Sequence, residues 1–250
     1  ATSVYEINDV LPFIDDLMKG EKYRKLTALY FVHQLENNLL QFKISSGYLG
    51  ETDLDILSLL MVNYPVSYGW AHEKNDFAEK CRNIPYISDK KLRNDHFEKL
   101  LAILPLIPQK GYHSEGKPFD WCTLSLSENE LFTRLLTLAG YDFDSVKTAK
   151  LIDQMSLSDS DNREKFVRFF LDEPKKGKER AFLFASLNDK SMPVRTQALK
   201  NIKKLEIAEE ESELIINLLA LKTGDLRQNA VDILLSMPSG RSLGAVKILL

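Results

Sequence analysis

The stretch Leu187-Asn188-Asp189-Lys190-Ser191-Met192-Pro193-Val194-Arg195-Thr196-Gln197-Ala198-Leu199 sets the reading of the whole chain. Apolar positions precede a polar run, and Ser191 and Pro193 stand where a second helix would be capped and opened, so the string reads as helix, turn, helix. It has an echo in Asp225-Leu226-Arg227-Gln228-Asn229-Ala230-Val231, where Arg227, Ala230 and Val231 stand 32 residues after Arg195, Ala198 and Leu199. Similar residues at a fixed spacing are the mark of stacked repeats.

Working outward, a third window joins these two at an offset of 170. Phe13, Leu183 and Ile215 coincide, as do Ile14, Phe184 and Ile216, and Leu17, Leu187 and Leu219; these form the expected inward face of a first helix. A second helix follows from Lys25, Arg195 and Arg227; Ala28, Ala198 and Ala230; Leu29, Leu199 and Val231; Val32, Ile202 and Leu234; and Leu35, Leu205 and Met237. Each helix is apolar on one stripe, so a single pair leaves its core uncovered and has to stack on neighbours. Alanine at the shared position allows close approach of two helix axes. The pattern does not carry through residues 36–165, where any repeats are degenerate.

The strings around Asp189 and Asp225 resemble the HEAT repeat of the HEAT and armadillo class of α-solenoids. The resemblance covers about residues 181–237 and, less fully, 11–35, where Lys25 replaces the arginine. It implies an all-α fold, a right-handed superhelix of stacked antiparallel helix pairs, with a polar ladder between repeats built from Asp189 with Arg195 and Asp225 near Arg227. It also implies scaffold or binding roles, although some helical-repeat proteins are DNA glycosylases. The chain further resembles helical-repeat segments of large uncharacterised bacterial proteins.

Composition agrees with this class. An apolar share of 44% in 250 residues can fill a sizeable core, and 11 Gly with 9 Pro are few for an all-β or Gly-loop fold. Apolar residues recur at helical spacing, as in Leu92, His96, Leu100 and Leu104, and period two is nowhere sustained. Pro105, Pro108, Gly111, Gly116 and Pro118 crowd one segment. We therefore expect an N-terminal helical region over 1–104, a long loop and internal boundary over 105–127, and HEAT-like repeats over 128–250. Thirty-three basic against 36 acidic residues disfavour a dedicated nucleic-acid binder. Cys81 and Cys122 lie far apart without CxxC spacing, which fits a reduced, cytoplasmic protein, and no apolar run is long enough to span a bilayer. A start at Ala1 and an apolar end at Val246-Lys247-Ile248-Leu249-Leu250 suggest a piece of a longer protein.

Motifs that could carry chemistry are weak. Gly111-Tyr112-His113-Ser114-Glu115-Gly116-Lys117-Pro118 matches GxxxxGK but has Pro118 where magnesium needs Ser or Thr, with no strand before it, so no nucleotide is expected. His33, His72, His96 and His113 lack metal-ligand spacing; His96 falls on an apolar helical face, and neither metal nor cofactor is expected. Ser114, Ser125 and Cys122 near His113 form a nucleophile and base on paper only. Tyr68, Trp70, Tyr112, Asp120 and Trp121 support a glycosylase-like alternative, since such enzymes hold a flipped nucleotide with aromatics and a carboxylate. The basic cluster Lys175, Lys176, Lys178 and Arg180 and the acidic run Glu209, Glu210, Glu211 and Glu213 read as a solvated turn and a helix start.

If the second helices line an inner wall, helical spacing selects an outward row of Thr196, Lys200 and Lys203, then Gln228, Asp232 and Leu235, and Leu26, Tyr30 and His33 in the first window. Mixed charge with an aromatic suits a protein or peptide partner better than a phosphate backbone. The expected function is thus a non-catalytic interaction scaffold. The alternatives are a glycosylase-like nucleic-acid enzyme and a structural segment of a larger enzyme.

Overall fold

The structure, a computed structural model, describes residues 7–35, 37–66, 68–114, 123–208, 211, 214–216, 219 and 224–236. These residues are mainly helical: α1 Ile7–Met18, α2 Lys22–Gln34, α3 Asn38–Gly47, α4 Leu54–Val62, α5 Lys74–Arg82, α6 Lys90–Ile103, α7 Glu128–Gly140, α8 Ser145–Gln154, α9 Ser160–Phe170, α10 Lys178–Ala185, α11 Met192–Ile202 and α12 Gly224–Ser236. Short polar residues open many of them. Asp53, Asp89, Asp144 and Asp159 accept backbone amides at the starts of α4, α6, α8 and α9, and Ser127 with Glu130 closes a reciprocal capping box on α7.

The segment expected as a loop holds the described sheet: β1 Tyr112–His113 pairs antiparallel with β2 Ser125–Leu126, Tyr112 opposite Leu126 and His113 opposite Ser125. Gly111 enters β1 at φ +76, with Leu126 O only 3.4 Å from where a Cβ would sit, so glycine suits this turn. Residues 115–122, with Asp120, Trp121 and Cys122, lie outside the described residues.

The chain divides into two compact units. The first takes residues 1–70 and 78–141, so 105–127 lies within it; the second takes 71–77 and 142–250. In the first, α2 packs on α1 and α4, and α6 on α7. In the second, α9 packs on α11, α10 on α8, and α11 on α12. First helices meet first helices there, and second meet second, as the unmet apolar stripe of each pair requires.

The two units share one internal design, displaced by 138 residues. In the first, Asn63 Nδ2 donates to Leu29 O at 2.9 Å and Lys25 Nζ to Glu51 Oε1 at 2.5 Å. In the second, Asn201 Nδ2 donates to Val167 O at 2.7 Å and Arg163 Nε to Asp189 Oδ2 at 2.7 Å. Each residue number exceeds its counterpart by 138, and α1–α4 correspond in order to α8–α11. Burial follows suit at Leu49 and Leu187, Ile56 and Val194, Leu60 and Ala198, and Asn63 and Asn201.

The shared alanine position is confirmed, since Ala28, Ala198 and Ala230 are all fully buried, as are the neighbouring Val32 and Ile202. Two expectations are corrected. Phe13 is 58% exposed while its aligned partners Leu183 and Ile215 are buried, so the inward side of α1 is set by Ile14 and Met18 instead. Leu26, expected in the outward row, is buried; α2 turns that flank into its own core. His96 sits in the apolar interior as expected, with Nδ1 2.9 Å from Tyr64 Oη, and burial pushes its pKa down to about 4. Among the described residues no helix is long and apolar enough to cross a membrane.

Candidate interaction surface

Asp189 and Arg195 of the expected ladder meet through the backbone of the turn, and the Asp189 carboxylate also takes Arg163. Arg195 Nη1 donates to the backbone carbonyls of Asp189 and Lys190 at 2.8 and 3.0 Å, clamping its own turn. The Asp189 carboxylate is instead gripped by Arg163, 32 residues before Arg195, through Nε–Oδ2 at 2.7 Å and Nη2–Oδ1 at 3.0 Å. Arg163 Nη1 also reaches Ser158 O at 2.6 Å, and Arg93 reaches Ile87 O at 2.7 Å, so one arginine clamp recurs in both units. Asp225's side chain lies outside the described residues, while Arg227 is exposed on α12.

The electrostatics of the ladder give a pH prediction. Burial alone would raise the Asp189 carboxyl, but the Arg163 fork, the Ser191 amide at 2.8 Å and the nearby Arg195 charge together hold it below its ordinary 3.8. A carboxyl lowered in the folded state adds stability above its unfolded pKa, and that stability is lost as pH falls through the folded pKa. Asp189→Asn should therefore cost about 1 to 3 kcal/mol at neutral pH. In thermal melts the gap to the parent should stay constant down to about pH 5 and close below about pH 4. A gap independent of pH would contradict the pairing.

Outward positions of α11 and α12 were placed by sequence at Thr196, Lys200, Lys203, Gln228 and Asp232, and the first four are exposed. Lys203 Nζ meets Asp232 Oδ2 at 3.1 Å, and Gln228 Nε2 donates to Asp232 Oδ1 at 2.9 Å. These bonds hold the Asp232 carboxyl below its ordinary value and tie the two helices into one surface. Leu235, one turn beyond Asp232 on α12, is 78% exposed. Tyr30 and His33 belong to α2 of the first unit, Tyr30 half-buried and His33 exposed.

Sequence reasoning missed the groove beside Lys200. About 360 Å³ in volume, it lies between residues His72 to Asn75, the end of α9 with Arg168, Asp172 and Glu173, and the α11 residues Gln197, Lys200 and Lys204. Lys204 pairs with Asp172, Lys74 with Glu173 at 3.9 Å, and Arg168 with Glu164 at 2.5 Å. Lys200 forms no ion pair with the described residues, so its charge is available to a ligand.

Of the aromatic set of the alternative reading, Tyr68, Trp70 and Tyr112 are described, while Asp120 and Trp121 lie outside the described residues. Tyr68 is buried, Trp70 is 85% exposed, and Tyr112 Oη donates to Asp55 Oδ1 at 2.5 Å. Burial and that bond push the Tyr112 phenol up to about 12, while Asp55 and Asp53 also hold Lys22 at 2.7 and 3.0 Å. This cluster ties β1 to α4 with its charges mutually satisfied. Ser125 lies across from His113 in the ladder, Ser114 Oγ accepts the Leu124 amide at 3.1 Å, and Cys122 lies outside the described residues. Burial pushes the Cys81 thiol up to about 12, which makes it a poor nucleophile. Among the described residues, no three His, Cys, Asp or Glu side chains group as metal ligands.

A family model described as "Family of unknown function (DUF5724)" matches residues 1–250. No curated protein matches the chain, and no solved structure matches it.

Proposed function

The chain belongs to that family over residues 1–250, and we propose that it is a non-catalytic helical-repeat scaffold of HEAT-like, right-handed superhelical design that binds a protein or peptide partner. The observation that carries the reading is the joined surface of α11 and α12, where Lys203, Asp232 and Gln228 are held in place while Thr196 and Lys200 face solvent. Stacked helix pairs spend their apolar stripes on each other and leave such rows for recognition. Mixed charge with an exposed Leu235 favours a protein surface over a phosphate backbone. In this reading Thr196, Lys200, Lys203, Gln228 and Asp232 contact the partner, with Tyr30 and His33 the matching pair of the first unit, in the cytoplasm and without a cofactor.

The test is Lys200→Glu with Lys203→Glu, compared with the parent and with Lys90→Glu plus Lys91→Glu on α6 as an exposed control. Lys203→Glu breaks the exposed bridge to Asp232, a kind of pair that contributes little to stability, so helical circular dichroism should stay unchanged. Quantitative pull-down should then show a set of proteins depleted at least tenfold by the α11 variant and retained by the control. Identical capture by all three would remove this surface as the binding site.

A further inference from the structure

We infer that the line of Tyr23, Thr27 and Phe31 on α2, continued by Leu35 at its end, is a docking edge for a helix of another polypeptide that presents a phenylalanine as Phe77 does. The inference comes from comparing equivalent positions within the two units. Displaced by the same 138 residues, Phe31 of α2 corresponds to Phe169 of α9. Phe169 is 1% exposed, because Phe77 stacks on it with ring centroids 4.4 Å apart and planes 5° from parallel. Phe77 is itself fully buried against Phe143 and Phe170. Seven residues before Phe169, Asn162 is buried as well, whereas its counterpart Arg24 is exposed and paired with Asp16 at 3.2 Å.

In the first unit the same flank is bare. Phe31 is 53% exposed, Tyr23 72% and Leu35 38%, and four-residue spacing sets them on one line of the helix. Edge helices of stacked pairs need a cover of this kind. The cover in the second unit comes from one ring on a short helix that also carries Lys74, Asp76, Glu79, Lys80 and Arg82, with Lys74 over the Phe143 ring at 5.3 Å. A single aromatic anchor on an amphipathic helix therefore satisfies this position, by parallel stacking on Phe31. In a folded copy of the chain Phe77 is already buried, so that residue is not available to a second molecule.

The probe is a synthetic peptide of residues 71–85 of this chain, titrated into the intact 250-residue protein labelled with nitrogen-15. Amide shifts centred on α2 should move and saturate. The apparent affinity should fall at least tenfold with Phe77→Ala in the peptide, or with Phe31→Ser in the protein, and stay unchanged with Lys90→Glu on α6. Leu35→Ser serves as a second variant on the same line should Phe31→Ser alter the circular dichroism. Absence of saturable shifts, or saturation indifferent to both α2 variants, would overturn the inference. So would a concentration-dependent dimer dissolved by Phe31→Ser, which would give the face to a second copy.

Discussion

Leu187→Asp is expected to unfold the second unit's helix stack. Leu187 is 1% exposed in the single turn that follows α10, at the point where the first helix of a pair hands over to the second. A carboxylate there replaces a buried apolar side chain, which costs about 3 to 5 kcal/mol. At about 2 to 4 °C per kcal/mol for a chain of this size, the melting temperature should fall by roughly 6 to 20 °C. Leu49, its counterpart in the first unit, is equally buried, so Leu49→Asp should give a loss of similar size. Differential scanning calorimetry reads both, and melting within a degree of the parent would remove Leu187 from the core.

Asn201→Leu carries the next largest effect and probes a different force. Asn201 is fully buried on α11, and its amide donates to Val167 O at 2.7 Å and Leu171 O at 3.0 Å. Those carbonyls belong to the last turn and end of α9, where helical backbone runs out of its own donors. Leucine keeps the branched outline, though it is bulkier, and leaves both acceptors without their donor, at about 1 to 3 kcal/mol each. A loss of about 2 to 4 kcal/mol is expected from chemical denaturation. Asn63→Leu, with one such bond to Leu29 O, should lose about half as much. Equal stability of parent and Asn201→Leu would mean that the stacked pairs are not joined in this way.

These two sites also show where sequence reading succeeds and stops. Leu187, Ala28, Ala198 and Ala230 were legible because apolar and small residues recur at a fixed spacing, and packing demands both. Phe13 and Leu26 were misplaced because apolar identity does not fix which flank of a helix turns inward. Between residues 7–64 and 145–202 the helices correspond in order although few like residues do. Leu60 fills the place of Ala198, Phe166 that of Ala28, and Lys25 with Glu51 that of Arg163 with Asp189. Large and small side chains, or lysine and arginine, stand at equivalent buried or paired positions, so a scan for like residues passes over them.

Asn63 and Asn201 were missed for another reason, since asparagine in sequence reads as a turn or solvated residue, and only the neighbouring helix end reveals its buried role. One signal was available: Arg163 precedes Arg195 by 32 residues, the spacing that separates Arg195 from Arg227. On the candidate surface, exposure of Thr196, Lys200, Lys203 and Gln228 follows from helical period alone. The pairing of Lys203 with Asp232 and the groove walled by residues 72–75 join segments far apart in the chain, and no local pattern encodes them.

The duplicated helix stack is most directly tested by a crystal structure of the chain in which residues 7–64 are superposed on residues 145–202. The account predicts that α1–α4 overlay α8–α11 in order, with the Asn63 and Asn201 amides donating to the carbonyls of Leu29 and Val167. Helices paired in a different order in the two segments, or either asparagine turned into solvent, would contradict it.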